Sequence, residues 1–175
     1  MNNIQELREL VNPVFNTAKA CLEFDAENGD PDSRKLLDTL DFESTRAQNA
    51  EKVMSPELLT KVRHIKPVFS TYIESRFHSV NRLISSMPER TIVDLPCGYT
   101  ARCIKMSNSG RNYYGFDLPA VIETIAPAVA KINGGNEAIR YAAVDATNYE
   151  SMETPLCGIT ASLLITTEGL LMYLT

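Results

Sequence analysis

The sequence predicts an α/β fold: a mostly parallel sheet whose strands alternate with helices, preceded by a helical segment. Three observations predict it. After Pro88, short apolar runs recur, each bounded by chain-breaking or turn-forming residues, as buried strands are. Between those runs lie segments with helical character. Before Pro88, apolar residues recur instead at intervals of three and four, the period of a helix face. At 175 residues and 44% apolar, the chain has the size of one domain and the means to build a sizeable core.

In chain order, Ile4 to Phe24 carries apolar residues at Ile4, Leu7, Leu10, Val11, Val14, Ala18, Cys21 and Leu22, with Pro13 separating two short helical pieces. Asn28 to Ser33 is a turn cluster. Ser55-Pro56-Glu57 opens a further helix, with Ser55 as N-cap and Pro56 in the first turn. Pro67 starts a longer one, whose stripe is Phe69, Tyr72, Ile73, Phe77, Val80, Leu83 and Ile84. Four strands are then expected: Thr91–Leu95, Asn112–Phe116, Ile139–Val144 and Ala161–Thr166. A helix over Ala101–Met106 follows the first, and one over Ala120–Ile132, kinked or split by Pro127, follows the second. The domain boundaries read from this pattern are a helical cap over 1–66 and a sheet-bearing domain over 67–175.

Charge and composition exclude several classes. The net charge is -5 and there is no Lys/Arg-rich run, which argues against a nucleic-acid partner. No stretch approaches the ~18–20 consecutive apolar residues of a membrane span. Met1-Asn2-Asn3-Ile4-Gln5-Glu6 has neither the basic start nor the apolar stretch of a signal peptide. Cys21, Cys97, Cys103 and Cys157 form no C-x-x-C pair, so free thiols in a reducing, cytoplasmic setting are expected.

In an open α/β sheet, ligands bind beyond the carboxyl ends of the strands. The turn after the first strand is Asp94-Leu95-Pro96-Cys97-Gly98-Tyr99-Thr100-Ala101-Arg102. Gly98 allows a close backbone approach, but a dinucleotide site wants G-x-G-x-x-G. One glycine suits an uncharged or zwitterionic cofactor, or an ordinary β-α turn. Asp117, roughly 20 residues further on, is placed to accept the hydroxyls of a ribose, or to cap a helix. Asp145, after the third strand, suits an adenine amino group or another cap. Asp94, Gly98, Asp117 and Asp145 thus fall near the ends of successive strands and can face one crevice. Arg76 sets a permanent cation on an apolar helix stripe, where it needs an anion, either a protein carboxylate or a ligand's. Glu168 follows the fourth strand and is expected to open an apolar helix over Gly169–Leu174, at the edge of the same crevice.

These stretches resemble the leucine carboxyl methyltransferase-like family of class I S-adenosylmethionine-dependent methyltransferases. Thr167-Glu168-Gly169-Leu170-Leu171-Met172-Tyr173-Leu174 is similar to its E-G-L-L-M-Y-L signature. Asp94 to Arg102 resembles its N-L-G-A-G-x-D-T-R turn, and Phe116-Asp117-Leu118-Pro119-Ala120-Val121-Ile122 its E-V-D-L-P-E-V-I segment. Asn16 to Glu23 is more loosely like its N-terminal T-A-x-x-x-A-x-x-R-A-x-E helix. The resemblance implies a Rossmann-like S-adenosylmethionine-binding domain behind a helical cap, and an O-methyltransferase acting on a small-molecule hydroxyl or carboxyl acceptor. It implies that Arg76 grips the cofactor carboxylate, that Gly98 lies at its methionine part, and that Asp94 and Leu118 also belong to the cofactor site. Asp117 would hold the ribose, Asp145 and Ala146 the adenine, and Glu168 the amino-acid end or the acceptor pocket.

Pro96 stands where the family has glycine, and Thr100-Ala101 where it has Asp-Thr, so a differently shaped turn is expected. The class I sheet has strand order 3-2-1-4-5-7-6, of which the first four strands are visible. The fourth would then be a bare edge, prone to pair with a second copy. A truncated, non-catalytic remnant or an interaction module pairing through that strand is therefore the alternative reading. Methyl transfer from a sulfonium releases a neutral thioether and calls for no metal. Catalysis rests on holding the acceptor in line, and neither His64 nor His78 is assigned as a base.

Overall fold

The computed structural model describes residues 13–40 and 56–171. Helix α1 (Pro13–Glu27) and helix α2 (Pro31–Leu40) flank the Asn28–Asp30 turn, and a long helix α3 (Pro56–Ser86) follows. Then come β1 (Thr91–Asp94), α4 (Arg102–Asn108), β2 (Asn112–Asp117), α5 (Pro119–Asn133), β3 (Ile139–Ala143), α6 (Tyr149–Cys157) and β4 (Leu163–Thr166). The strands form one sheet of order β3-β2-β1-β4, with every pair parallel. This is the α/β architecture with a parallel sheet and an N-terminal helical part that the alternation of periods predicts, and it is consistent with the Rossmann-like fold that the resemblance implies.

Three local expectations are corrected. Pro67 does not begin a helix: α3 runs through it, and the boundary drawn at 66/67 falls inside that element. Pro67 is exposed, so the hydrogen bond its missing N–H forgoes is lost where water can replace it. Likewise, Pro127 does not split α5, which continues through it as one helix. Finally, Glu168–Leu170 is loop, not the opening of a helix, with Gly169 at φ 75°. Met172–Thr175, together with Ile4–Val11 and Ser55, lie outside the described residues. Helix α6 was not singled out in the sequence. Its N-cap is Asn148, whose side chain accepts from the Glu150 and Ser151 N–H groups, and Pro155 lies inside it.

The stripe on α3 is narrower than its sequence suggests. Ile73, Phe77 and Ile84 are buried, with Val80 partly so, while Tyr72 and Leu83 face outward. The buried set steps by four, three and four, one strict helical face. That face joins the cap to the sheet: Leu22, Leu36 and Ile84 share one core cluster with Ile92, Ile104, Tyr113, Val121 and Ile125. Helix α1 packs on α2 and α3, and α2 packs on α5. The opposite sheet face is served by a smaller cluster, Val93, Leu95, Phe116 and Val144, against α6 residues Met152 and Leu156.

Gly115 is the tightest position in the sheet. It lies between Asp94 and Tyr141 on the neighbouring strands. A Cβ there would sit 2.5 Å from Tyr141 Cε1 and 3.1 Å from Tyr113 Cε1. Both rings belong to an edge-on pair with centroids 6.4 Å apart, so neither can yield alone. Gly115→Ala is expected to destabilise the protein by about 1–3 kcal/mol, the usual cost of overpacking. A urea midpoint equal to that of the unmodified protein would refute it.

Candidate functional site

The sheet order reverses about β1, which has β2 on one side and β4 on the other. At the carboxyl ends of these strands lies a cavity of about 150 Å³. Its walls are the turn after β1 (Pro96 to Thr100), Asp117 at the end of β2, Glu168 and Gly169 after β4, and residues of α1 and α3. The position is where an open parallel sheet leaves room between diverging loops. Backbone bonds fix the β1 turn to both neighbours: Leu95 N donates to Thr166 O and Cys97 N to Phe116 O, each at 2.9 Å. The Leu95–Pro96 peptide bond in that turn is cis.

Two guanidinium groups converge on Glu168. Arg76 Nε donates to Oε1 at 2.5 Å, and Arg102 Nη2 to Oε2 at 2.6 Å. Arg102 also donates through Nη1 to Asp94 Oδ2 and through Nε to Asn81 Oδ1, both at 2.8 Å, and stands over the Phe77 ring. Asp94 is fully buried; Tyr113 donates its hydroxyl to the same Oδ2 at 2.7 Å and Thr166 donates to Oδ1 at 2.8 Å. Burial alone would lower the Arg102 pKa, but Asp94 and Glu168 outweigh it and hold it above the ordinary value. Arg76 is balanced the same way, its burial outweighed by Glu168. The anion for Arg76 that the sequence left open is thus a protein carboxylate. Glu168 takes one of the five N–H donors of that guanidinium, which lines the cavity.

Asp117 ties the crevice together. Its Oδ2 accepts from Gly98 N and its Oδ1 from Leu118 N, each at 2.7 Å. Gly98 has φ 52°, a left-handed conformation that a side chain would strain. Burial raises the Asp117 carboxyl above the usual range, against the pull of those two N–H groups. Asp117 ends the strand, and the N-cap of α5 is Leu118, with no side-chain cap bond. The capping role is therefore not the one Asp117 plays.

Of the residues singled out in the sequence, Arg76, Gly98, Asp117 and Glu168 meet at this cavity. Asp94 does not line it, since its oxygens are turned to Arg102, Tyr113 and Thr166. Leu118 is exposed beside Asp117. Asp145 is exposed, its Oδ1 closing a local turn by accepting from Thr147 N and Oγ1, and these bonds lower its pKa. Ala146 packs with the smaller core cluster. Asp145 and Ala146 lie past the end of β3, outside the cavity wall, because the strand order sets β3 farthest from the β1–β4 crevice.

Sequence reasoning missed Arg102, Asn81, Cys21 and Asp25. Cys21 Sγ accepts from Arg76 Nη2 at 3.8 Å, and burial raises its thiol pKa. Asp25, on α1, is 5% exposed and lines the cavity, and its Oδ1 has no hydrogen-bond partner. Burial pushes its carboxyl up to about 7, reinforced by Asp30 and Glu168 and opposed by Arg102. All four cysteines are free thiols, Cys97 and Cys103 buried. Among the described residues no helix is long and apolar enough to cross a membrane. No protein-family model, curated protein or solved structure matches the chain.

Proposed function

We propose that the chain binds S-adenosylmethionine and acts as an O-methyltransferase on a small-molecule hydroxyl or carboxyl acceptor. The observation that carries the reading is the convergence of Arg76, Gly98, Asp117 and Glu168, drawn from four separate segments, on one cavity at the carboxyl ends of β1, β2 and β4. The wall suits an amino-acid-bearing ligand: it offers a guanidinium, a backbone approach at Gly98, and a carboxylate oxygen left without a donor on Asp25. The cavity volume of about 150 Å³ is below the ~300 Å³ at which drug-sized sites begin. In this reading it takes the amino-acid end, and the nucleoside lies outward past Asp117 and Leu118.

The cofactor, when bound, supplies an electrophilic methyl. The chain's own residues do the positioning. Arg76 offers the N–H groups that Glu168, Cys21 and Tyr72 do not use, and Glu168 holds that guanidinium in place. Asp117 keeps lone pairs beyond the two it gives to Gly98 and Leu118, enough to accept from ribose hydroxyls. Calorimetric titration with S-adenosylhomocysteine tests the reading. The unmodified protein is expected to bind, and Arg76→Ala to weaken binding roughly 10- to 100-fold, the loss of one charge-assisted contact. Absence of binding to the unmodified protein refutes the assignment.

A second reading has its own observation. Strand β4 pairs with β1 alone among the described residues, and its Ile165 is 51% exposed. An apolar edge strand is a template for pairing with another chain. This supports a homo-oligomer, or an interaction module, built through β4. A species that elutes as a monomer at every concentration in size exclusion argues against it.

A further inference from the structure

Three carboxylates line the cavity, and two of them are committed. Glu168 is held by Arg76 and Arg102, and Asp117 by the N–H groups of Gly98 and Leu118. Asp30, near Asp25 but off the wall, is likewise taken, by Lys105 and by Ser33 N and Oγ. Asp25 differs: its Oδ1 is buried and receives no donor. An unpaired carboxylate oxygen inside a protein is costly, and an arrangement that leaves one at a cavity wall is suited to a partner from outside. The charges around it point to the sign of that partner. The charged groups on the wall and in the ion-pair network behind it are the carboxylates of Asp25, Asp94, Asp117 and Glu168 against the guanidinium groups of Arg76 and Arg102. With Asp25 ionised, negative charge is in excess.

We propose that Asp25 is the charge-selecting residue of this cavity, favouring a ligand with net positive charge, the sulfonium cofactor, over the neutral thioether that methyl transfer leaves behind. The inference rests on the cofactor reading above and adds the means by which product is distinguished from substrate. Its physical basis is the difference of one full charge in a poorly solvated site, where Coulomb interactions are less screened than in water. The groups that face Asp25 are Cys21 on its own helix, Asp30 at the start of α2, Glu74 and Arg76 on α3, Arg102 on α4 and Glu168 after β4. Burial, with the carboxylates among them, raises the Asp25 carboxyl to about 7, so without a cation in the cavity it is mostly protonated at pH 6 and mostly ionised above pH 7.5. Both ligands bring the same ammonium and carboxylate into the cavity, and these cancel in net charge; the sulfonium adds one further positive charge, so its binding favours the ionised form of Asp25 and expels more of its proton than the thioether does.

The test is titration calorimetry of the full chain with S-adenosylmethionine and, separately, S-adenosylhomocysteine, at pH 6.0 and 7.5. For the unmodified protein, the sulfonium is expected to bind roughly five- to tenfold more weakly at pH 6.0 than at 7.5, because Asp25 must first lose its proton. The thioether, which lacks the sulfonium charge, is expected to show a smaller change. Asp25→Asn is expected to bring the two affinities together and to flatten the pH profile; ionisation of the ligand's own amine is common to both proteins and cancels in the comparison. Should that variant fail to fold, repeating the unmodified protein's titration at pH 6.0 in two buffers of different ionisation enthalpy decides the matter. Release approaching one proton with the sulfonium, and clearly less with the thioether, supports the proposal. Equal release with both ligands, or an Asp25→Asn protein that retains the preference, overturns it while leaving the methyltransferase reading intact. Failure of both ligands to bind the unmodified protein overturns the two together.

Discussion

Replacing Arg102 with leucine is expected to cost about 3–5 kcal/mol of folding stability, the range for breaking a buried ion pair from one side. The residue is 2% exposed, and its three donor groups serve Asp94, Glu168 and Asn81. Its loss leaves Asp94, with no exposed surface at all, to carry an uncompensated charge on the hydroxyls of Tyr113 and Thr166 alone. It also breaks the bonds that join Asn81 on α3, through α4, to Glu168 after β4, and leaves Arg76 to hold Glu168 to α3. A domain of this size holds ~5–15 kcal/mol in total, so much of its stability rides on one side chain. Arg102→Lys is expected to recover part of the loss and no more. An ammonium restores the charge, but it cannot reach three acceptors in the fixed directions of a planar fork. Urea unfolding followed by circular dichroism measures both variants. A leucine variant within 1 kcal/mol of the unmodified protein would show that the network contributes little.

Why Arg102 escaped sequence reasoning while Arg76 did not is a matter of context. Arg76 falls between Ile73 and Phe77 on a long helix, so its neighbours announce that the position is buried. Arg102 stands at the first residue of a seven-residue helix, where a charged side chain reads as solvated. The signal available was Asp94: a carboxylate at the end of an apolar strand demands a counter-charge, and the helix that follows is the nearest source. Asp25 was harder still. It lies in Leu22-Glu23-Phe24-Asp25-Ala26-Glu27, where alternating acids suggest an exposed face. Its burial comes from α1 meeting α2 and α3, contacts far apart in sequence. The strands were legible because each is a short apolar run between turn residues, and their carboxyl ends carry Asp94, Asp117 and, after β3, Asp145. That these ends would form one crevice held for β1, β2 and β4 but not for β3, because proximity depends on strand order rather than on chain order.

The unliganded protein is expected to lose stability as pH rises from about 4 to about 7, and Asp25 is the cause. Its carboxyl sits near 7 in the folded chain against 3.8 for an ordinary aspartate. Between those values the folded state holds a proton that the unfolded state has released. Stability therefore falls with rising pH across that window: it is fully present below 3.8 and lost as pH climbs through 7. A difference of three pKa units corresponds to roughly 4 kcal/mol, an upper figure because the site relaxes when charged. Asp117, also raised by burial, acts in the same direction. Asp30 acts oppositely: Lys105 and Ser33 outweigh its burial and lower it, so its contribution is lost only at lower pH, below the window set by Asp25. Asp25→Asn separates these effects. The variant has no proton to lose, so its urea midpoint is expected to change much less between pH 5 and pH 8 than that of the unmodified protein. At pH 8, where the unmodified chain must bury an ionised and unpartnered carboxylate, the asparagine form is expected to be the more stable of the two. Identical pH profiles for the two proteins would mean that Asp25 is hydrated and ionised in solution, and the cavity wall would then have to be open to water on the α1 side.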